Sequence, residues 1–389
     1  MQTHFSPEQF LLQRTPFYYY DMVLLDATLT EIKRCIEGDA HWHVHYAVKA
    51  NANPAILSHI AQAKLGADCV SGGEIEAAIA AGVPASQIVY AGVGKSDWEI
   101  EIGLKHNISC FNVESVEELQ VINDLATRMN VVARVAFRIN PNVYAHTHEK
   151  ITTGLSENKF GIEMCDMEKA IRLAESLSHV EYTGLHFHIG SQILDNEPFR
   201  QLCLRINELQ ERLEKSGIHT LNINVGGGLG INYEDPDSES IPNFESYFRT
   251  FREALQLREG QQLHFELGRS VVGQCGSLIS RVLYIKKGHT KQFLILDGSM
   301  TELVRPAMYG AFHKVQRISA DKETAETEKE NSTYDVVGPV CESSDVFVKN
   351  YTLPTCERGD LIAIRSAGAY GESMASTYNL RPLPPSLLG

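Results

Sequence analysis

The feature that most constrains this chain is an alternation repeated eight times between about residues 42 and 273. A short apolar, β-branched run ends in a Gly-rich or polar turn, and a helix-like stretch follows. The runs are "HVHYAVKAN", "GADCVSGGE", "QIVYAGVGK", "ISCFNVES", "RVAFRINPN", "YTGLHFHIGSQI", "LNINVGGGLG" and "LHFELGRSVVG". Between them, stretches such as "SVEELQVINDLATRMN" and "EPFRQLCLRINELQERLEKSG" space their apolar residues by three and four, as amphipathic helices do. Strands alternating with helices imply a parallel sheet. Eight such units predict an α/β fold built on a closed (β/α)8 TIM barrel over residues 24–273. Chemistry in such barrels sits at the C-terminal ends of the strands. Lys49, His188, the Gly226–Gly230 run, Glu266 and Arg269 all fall there.

After about residue 274 the texture changes. "SLISRVLYIKK", "QFLILDGSM", "YDVVGPVCESSDVFV" and "DLIAIRSAGAY" read as strands joined by turns. They predict a mostly antiparallel β domain over 274–389. The run "PFYYYDMVLL" adds residues 1–23 to it, so that domain is discontinuous. "SADKETAETEKENS", residues 319–332, reads as a charged, solvated and mobile loop.

A length of 389 residues accommodates these two domains. The formal net charge of −14 disfavours nucleic acid and anionic membranes as partners. "MQTHFSPEQF" lacks a basic-then-apolar signal pattern, and no apolar run approaches the ~20 residues of a membrane span. Eight scattered cysteines without a C-x-x-C pair point to a reducing cytoplasm.

Lys49 reads in two ways. A lysine at the end of a buried strand either escapes to solvent or becomes a deprotonated amine suited to a Schiff base. His41, His43 and His45 share one strand face, but an extended chain spaces them too widely for one tetrahedral ion, so no metal is expected. "NVGGGLGI" and "ELGRSVVG" follow the seventh and eighth strands, where barrels of this kind frequently hold phosphate; plain turn glycines are the alternative. Glu266 beside a phosphate would be repelled, so it should face a cationic ring nitrogen instead. Lysine, phosphate loop and carboxylate together describe pyridoxal 5'-phosphate. His188 could cover the face of that ring, or be an ordinary core histidine. Cys341 is either an inert turn thiol or a proton donor, with Glu342 beside it to bind a cation.

"YAVKAN", "HFHIGSQI", "NVGGGLGI", "ELGR", "RPAMYGAFH", "GPVCESSDVF" and "AGAYGESMASTYN" occur in this order. Over essentially the whole chain they resemble the bacterial diaminopimelate decarboxylases, of the alanine-racemase-like fold group. The resemblance implies decarboxylation of meso-2,6-diaminopimelate to L-lysine and CO2, the last step of lysine biosynthesis. It implies that Lys49 carries the cofactor and His188 stacks on it. Ser191, Gly228 and the backbone of Glu266, Leu267, Gly268 and Arg269 would hold the cofactor, with Glu266 on the ring nitrogen. Arg269, Arg305 and Tyr309 would bind substrate carboxylates, Glu342 the substrate amine, and Tyr370 both cofactor and substrate. Cys341 would donate the proton, and the "CES" turn would reach into the neighbouring subunit of a homodimer with shared active sites. Relatives usually carry proline where this chain has Leu267, which should loosen that turn slightly. Carboxynorspermidine, ornithine and arginine decarboxylases of the same fold group are the alternatives. A cofactor-buffering protein would be a barrel without the second domain.

Overall fold

A computed structural model of the chain describes residues 5–143, 159–318 and 330–389. Its strands are β1 (Phe17–Tyr20), β2 (Trp42–Ala47), β3 (Gly66–Cys69), β4 (Ile88–Tyr90), β5 (Cys110–Val113), β6 (Ala133–Arg138), β7 (Val180–His186), β8 (Asn222–Asn224), β9 (Gln262–Leu267), β10 (Gly276–Lys287), β11 (Gln292–Leu296), β12 (Val315–Ile318), β13 (Asn331–Val337), β14 (Val346–Pro354), β15 (Leu361–Ile364) and β16 (Ser386–Leu388). The chain divides into two compact units.

One unit comprises Leu29–Gly230 and Asn243–Gly268. In it β2 to β9 close into a parallel eight-stranded barrel, sealed by β2 against β9 with Val44 opposite Phe265 and His45 opposite Glu266. The predicted barrel is therefore present. Side chains alternate across each strand. The outward set meets the surrounding helices: Phe265 packs edge-on against Phe248 and Phe251 of the helix Phe244–Ala254, at 5.0 and 5.1 Å between ring centroids. That helix forms because Phe244, Tyr247, Phe248 and Phe251 recur at helical spacing, and Asn243 caps it by accepting from the Ser246 N–H.

The inward set of β2 and β9 is polar. His41, His43 and His45 face Gln262, His264 and Glu266. The His45 ring fits because β3 opens with Gly66, where a Cβ would lie 2.5 Å from His45 Nδ1. Among the described residues no group of three or more His, Cys, Asp or Glu is arranged to hold a metal ion.

The other unit comprises Met1–Thr28, Ile231–Pro242 and Arg269–Gly389. Its sheet is mixed but mostly antiparallel, in the order β12-β15-β10-β11-β13-β14. The early run "FYYY" does join it, as β1 antiparallel to β10. "MVLL", however, opens the helix Met22–Cys35 rather than extending the strand. The short segment 231–242 is tied in by ion pairs from Asp237 to Arg365 at 2.9 Å and Lys314 at 3.1 Å. Most of the charged stretch 319–332 lies outside the described residues, and Asn331 and Ser332 already belong to β13. Among the described residues no helix is long and apolar enough to cross a membrane.

Candidate active site

In the barrel unit Lys49 lies in a single 3-10 turn, Val48–Ala50, directly after β2. The pairing of Ala47 with Asp68 brings β3 alongside, and Lys49 Nζ donates to Asp68 Oδ2 at 3.1 Å. Burial pushes the Asp68 carboxyl up to about 7. The negative charge of Glu266 adds to the rise, and Lys49 opposes it. Asp68 Oδ1 is buried and has no hydrogen-bond partner among the described residues.

Glu266 sits near the end of β9, 7% exposed. Its Oε1 accepts from Asn224 Nδ2 at 2.7 Å and Asn112 Nδ2 at 3.2 Å, and its Oε2 from His186 Nε2 at 3.0 Å. The Asn224 amide is oriented because its Oδ1 accepts the Gly226 N–H at 2.9 Å. Burial would raise the Glu266 carboxyl, but the interaction and hydrogen bond with His186, and then the charge of Lys49, outweigh it and hold the group well below the usual carboxylate range. Hydrogen bonds to a charged group contribute ~1.5–3 kcal/mol each, so three of them keep this buried carboxylate ionised.

His188 follows β7, with its Nδ1 accepting the Gly227 N–H at 3.4 Å. Its burial, and then the charges of Arg138 and Lys49, hold its pKa well below the ordinary histidine value. The ring is therefore flat and uncharged at neutral pH. The loop after β8 is tied to the loop carrying Ser191: Ile193 N–H donates to Gly228 O and Gly230 N–H to Ile193 O, both at 2.9 Å. Gly227 is required here, since a Cβ would lie 2.0 Å from Glu266 O. Leu267 is the last residue of β9, paired with Tyr46 and 1% exposed. The expected loosened turn is thus not found, because the position is strand.

The histidines of β2 form a ladder with β9. His45 Nδ1 donates to the Gln87 carbonyl at 3.1 Å, which leaves Nε2 to accept from His264 Nδ1 at 3.0 Å. Burial lowers His45 to about 4 and His264 to about 2. Unfolded histidine titrates near ~6.5. The stability that these neutral rings contribute is thus complete above that pH and is lost as pH falls from there toward 4, at up to about 1.4 kcal/mol per pH unit per ring. We expect the thermal midpoint to fall between about pH 7 and pH 5, and less steeply in His264→Gln. Identical slopes in the two proteins would contradict a neutral ladder.

The second unit gathers other predicted residues. Arg269 opens the short helix Arg269–Val272, and its Nη1 donates to Tyr233 Oη at 2.6 Å. Its guanidinium lies 4.9 Å from the ring centroid of Tyr370, a residue in the left-handed region at φ 56°. Arg305, 6% exposed, starts the helix Arg305–Tyr309 and lies 4.7 Å over the Tyr233 ring. Tyr309, at the other end of that helix, is partly exposed. Cys341 and Glu342 are exposed in the turn between β13 and β14, with the Cys341 N–H donating to Asn379 Oδ1 at 3.2 Å.

Sequence reasoning did not single out Asp68, Asn112, His186, Asn224, Tyr233 or His313. Asp68 and Asn112 carry a legible signal, each the one polar side chain next to the last residue of a barrel strand. His186 and Asn224 end their strands, but those strands hold other polar residues, Glu181 and Thr183 in one and Asn222 in the other, which dilute it. Tyr233 and His313 lie in coil, where no periodicity marks a side chain.

Residues 25–273 match the family model described as "Pyridoxal-dependent decarboxylase, pyridoxal binding domain". A diaminopimelate decarboxylase of Bacteroides thetaiotaomicron is 58% identical over 99% of this chain and 98% of that protein. The crystal structure of Helicobacter pylori diaminopimelate decarboxylase complexed with L-lysine superposes with a TM-score of 0.91 at 42% identity, covering 98% of this chain and 93% of that one. A Vibrio vulnificus lysine/ornithine decarboxylase complexed with putrescine has a TM-score of 0.83 at 21% identity, with 98% of this chain and 97% of that one covered, and shares the fold. With its barrel, its β domain and near-complete alignment to these relatives, the chain belongs to the pyridoxal-dependent decarboxylases, in the diaminopimelate decarboxylase family.

Proposed function

We propose that this enzyme decarboxylates meso-2,6-diaminopimelate to L-lysine and CO2, with pyridoxal phosphate as cofactor, in lysine biosynthesis. The observation that carries the reading is 58% identity over 99% of the chain to a diaminopimelate decarboxylase. The barrel residues fit the cofactor. Lys49 offers an amine, Glu266 an ionised carboxylate and His188 a neutral flat ring, and buried Asp68 Oδ1 has hydrogen-bonding capacity that no described residue uses.

When bound, the cofactor supplies a ring into which the electrons of the broken carbon–carbon bond can spread. Lys49 would anchor it covalently, and His188 would cover one face of the ring. Ser191, Gly228 and the backbone from Leu267 to Arg269 would hold its phosphate side. Glu266 would keep a proton on the ring nitrogen, which a carboxylate does and an uncharged side chain does not. Arg269, Arg305 and Tyr309 would bind carboxylates, since guanidinium forks match them in bidentate fashion. Tyr370 would touch both cofactor and substrate, and Glu342 would hold the substrate amine. As CO2 leaves, Cys341 would deliver a proton to the carbon it departed from.

This function is tested by assaying CO2 release from diaminopimelate, ornithine, arginine, carboxynorspermidine and L-lysine. Diaminopimelate should exceed every other substrate by at least about 10²-fold in kcat/KM, because the others leave the arginine clamp incompletely paired. Comparable turnover of ornithine or arginine would move the enzyme to another branch of the fold group.

We further propose a homodimer with shared active sites. Cys341 and Glu342 are exposed in the single chain, and a second copy covering them would remove bulk water from a proton donor. Mixing inactive Lys49→Ala and Cys341→Ala chains should then restore about a quarter of wild-type activity, because half the dimers are mixed and each has one intact site. No recovery after demonstrated subunit exchange would exclude sharing. We place the enzyme in the cytoplasm, where thiols such as its eight free cysteines stay reduced, a point that cell fractionation checks.

A further inference from the structure

Arg305 is a buried cation held by an uncharged partner. Its Nη1 lies 2.7 Å from Nε2 of His313, which is itself 1% exposed in the segment before β12. The tautomer of His313 follows from its other nitrogen. Nδ1 lies 2.8 Å from the Arg365 carbonyl oxygen, which can only accept, so Nδ1 carries the hydrogen. Nε2 then presents a lone pair, and the guanidinium donates to it. Burial, with the charges of Arg305 and Arg269, holds His313 down at about 3, consistent with a neutral ring. The Tyr233 ring closes the arrangement, with Arg305 on its face and His313 edge-on at 5.0 Å. Among the described residues no carboxylate is paired with Arg305.

The choice of partner has a chemical consequence. A buried arginine is most often paired with an acid, and the pair is then neutral and competes poorly for an incoming carboxylate. A neutral imidazole orients the guanidinium equally well and leaves its charge intact. With Nη1 committed, rotation of the guanidinium would break a buried hydrogen bond, so its direction is set before substrate arrives.

We propose that His313 is a positioning residue that aims Arg305 at the distal carboxylate of the substrate while leaving its charge available. This rests on the reading of Arg305 as a carboxylate clamp. Because decarboxylation removes the other carboxylate, L-lysine retains the distal one. Both the KM for diaminopimelate and the inhibition constant for L-lysine should therefore depend on His313.

Three substitutions separate orientation, charge and packing. In His313→Gln the side-chain oxygen can still accept from Arg305, and KM should stay within about 3-fold of wild type. His313→Asn can still donate to the Arg365 carbonyl but falls short of Arg305. It should raise KM and the lysine inhibition constant together by about 10-fold, the equivalent of one hydrogen bond of ~1.4 kcal/mol, with kcat within about 3-fold. His313→Glu has the shape of the glutamine variant but neutralises Arg305, and should raise both constants more than Asn does.

Equal values for the Gln and Glu variants would overturn the proposal, as would an Asn variant with wild-type constants. The Gln–Glu comparison suffices if the Asn variant does not fold. Arg305→Ala is the control. If it leaves KM unchanged, the clamp reading itself fails; if it raises KM while the Glu variant does not, only the role of His313 fails.

Discussion

Lys49→Ala is expected to lose nearly all decarboxylase activity, by at least about 10⁴-fold, while the purified protein still takes up pyridoxal phosphate weakly. The amine is needed twice: to anchor the cofactor and to displace the product from it. The remaining contacts do not depend on the lysine. The glycine loop after β8 keeps its hydrogen bonds to Ile193, and Glu266 keeps its grip by Asn112, Asn224 and His186. Removing Lys49 also leaves Asp68 buried without its ion-pair partner, and with its carboxyl already raised toward neutrality it should then be protonated. The measurement is turnover beside cofactor absorbance, before and after borohydride. A variant that kept near-normal turnover, or that was still reduced irreversibly onto the protein, would remove Lys49 from the covalent role.

Glu266→Gln should lower kcat by at least about 10²-fold, a usual cost for removing one electrostatic stabiliser in a closed site. The amide has nearly the same shape but carries no charge to hold a proton on a ring nitrogen. It also mismatches its own surroundings. The Asn112 and Asn224 amides both donate to Oε1, so the new NH2 is disfavoured on that side and is directed toward His186, which must give up its Nε2 proton to accept from it. Cofactor affinity should change much less than kcat, since the phosphate-side contacts lie elsewhere. Unchanged turnover would show that the ring nitrogen does not need this carboxylate.

Much of the architecture was legible in the chain because it depends on local patterning. Eight apolar runs separated by helical periodicity have few ways to bury both sheet faces, and a closed parallel barrel is one of them. Lys49, the Gly226–Gly230 run and Glu266 were legible as strand-end residues for the same reason. The start of β1 was legible as well, whereas "MVLL" was misread: four apolar residues do not distinguish strand from helix, and the helical spacing continues through to Cys35. Leu267 was misplaced in a turn because strand ends are set by pairing, here with Tyr46, and not by the residue itself.

Tertiary structure alone decided which groups act on one another. Asn112, His186 and Asn224 stand on three different strands, and only closure of the barrel brings their donors onto one carboxylate. The ionisation of Glu266, the raised carboxyl of Asp68 and the neutral ladder of His45 and His264 all follow from burial balanced against neighbours distant in sequence. His313 lies only eight residues from Arg305 in sequence, yet its tautomer is set by the carbonyl of Arg365, 52 residues further along and brought alongside by the pairing of β12 with β15. Residue types and their periodicity therefore determined the fold class and the kind of chemistry. Charge states, tautomers and the direction in which each guanidinium points were decided by the packed structure, because they depend on distances and desolvation that arise only when separate segments are brought together.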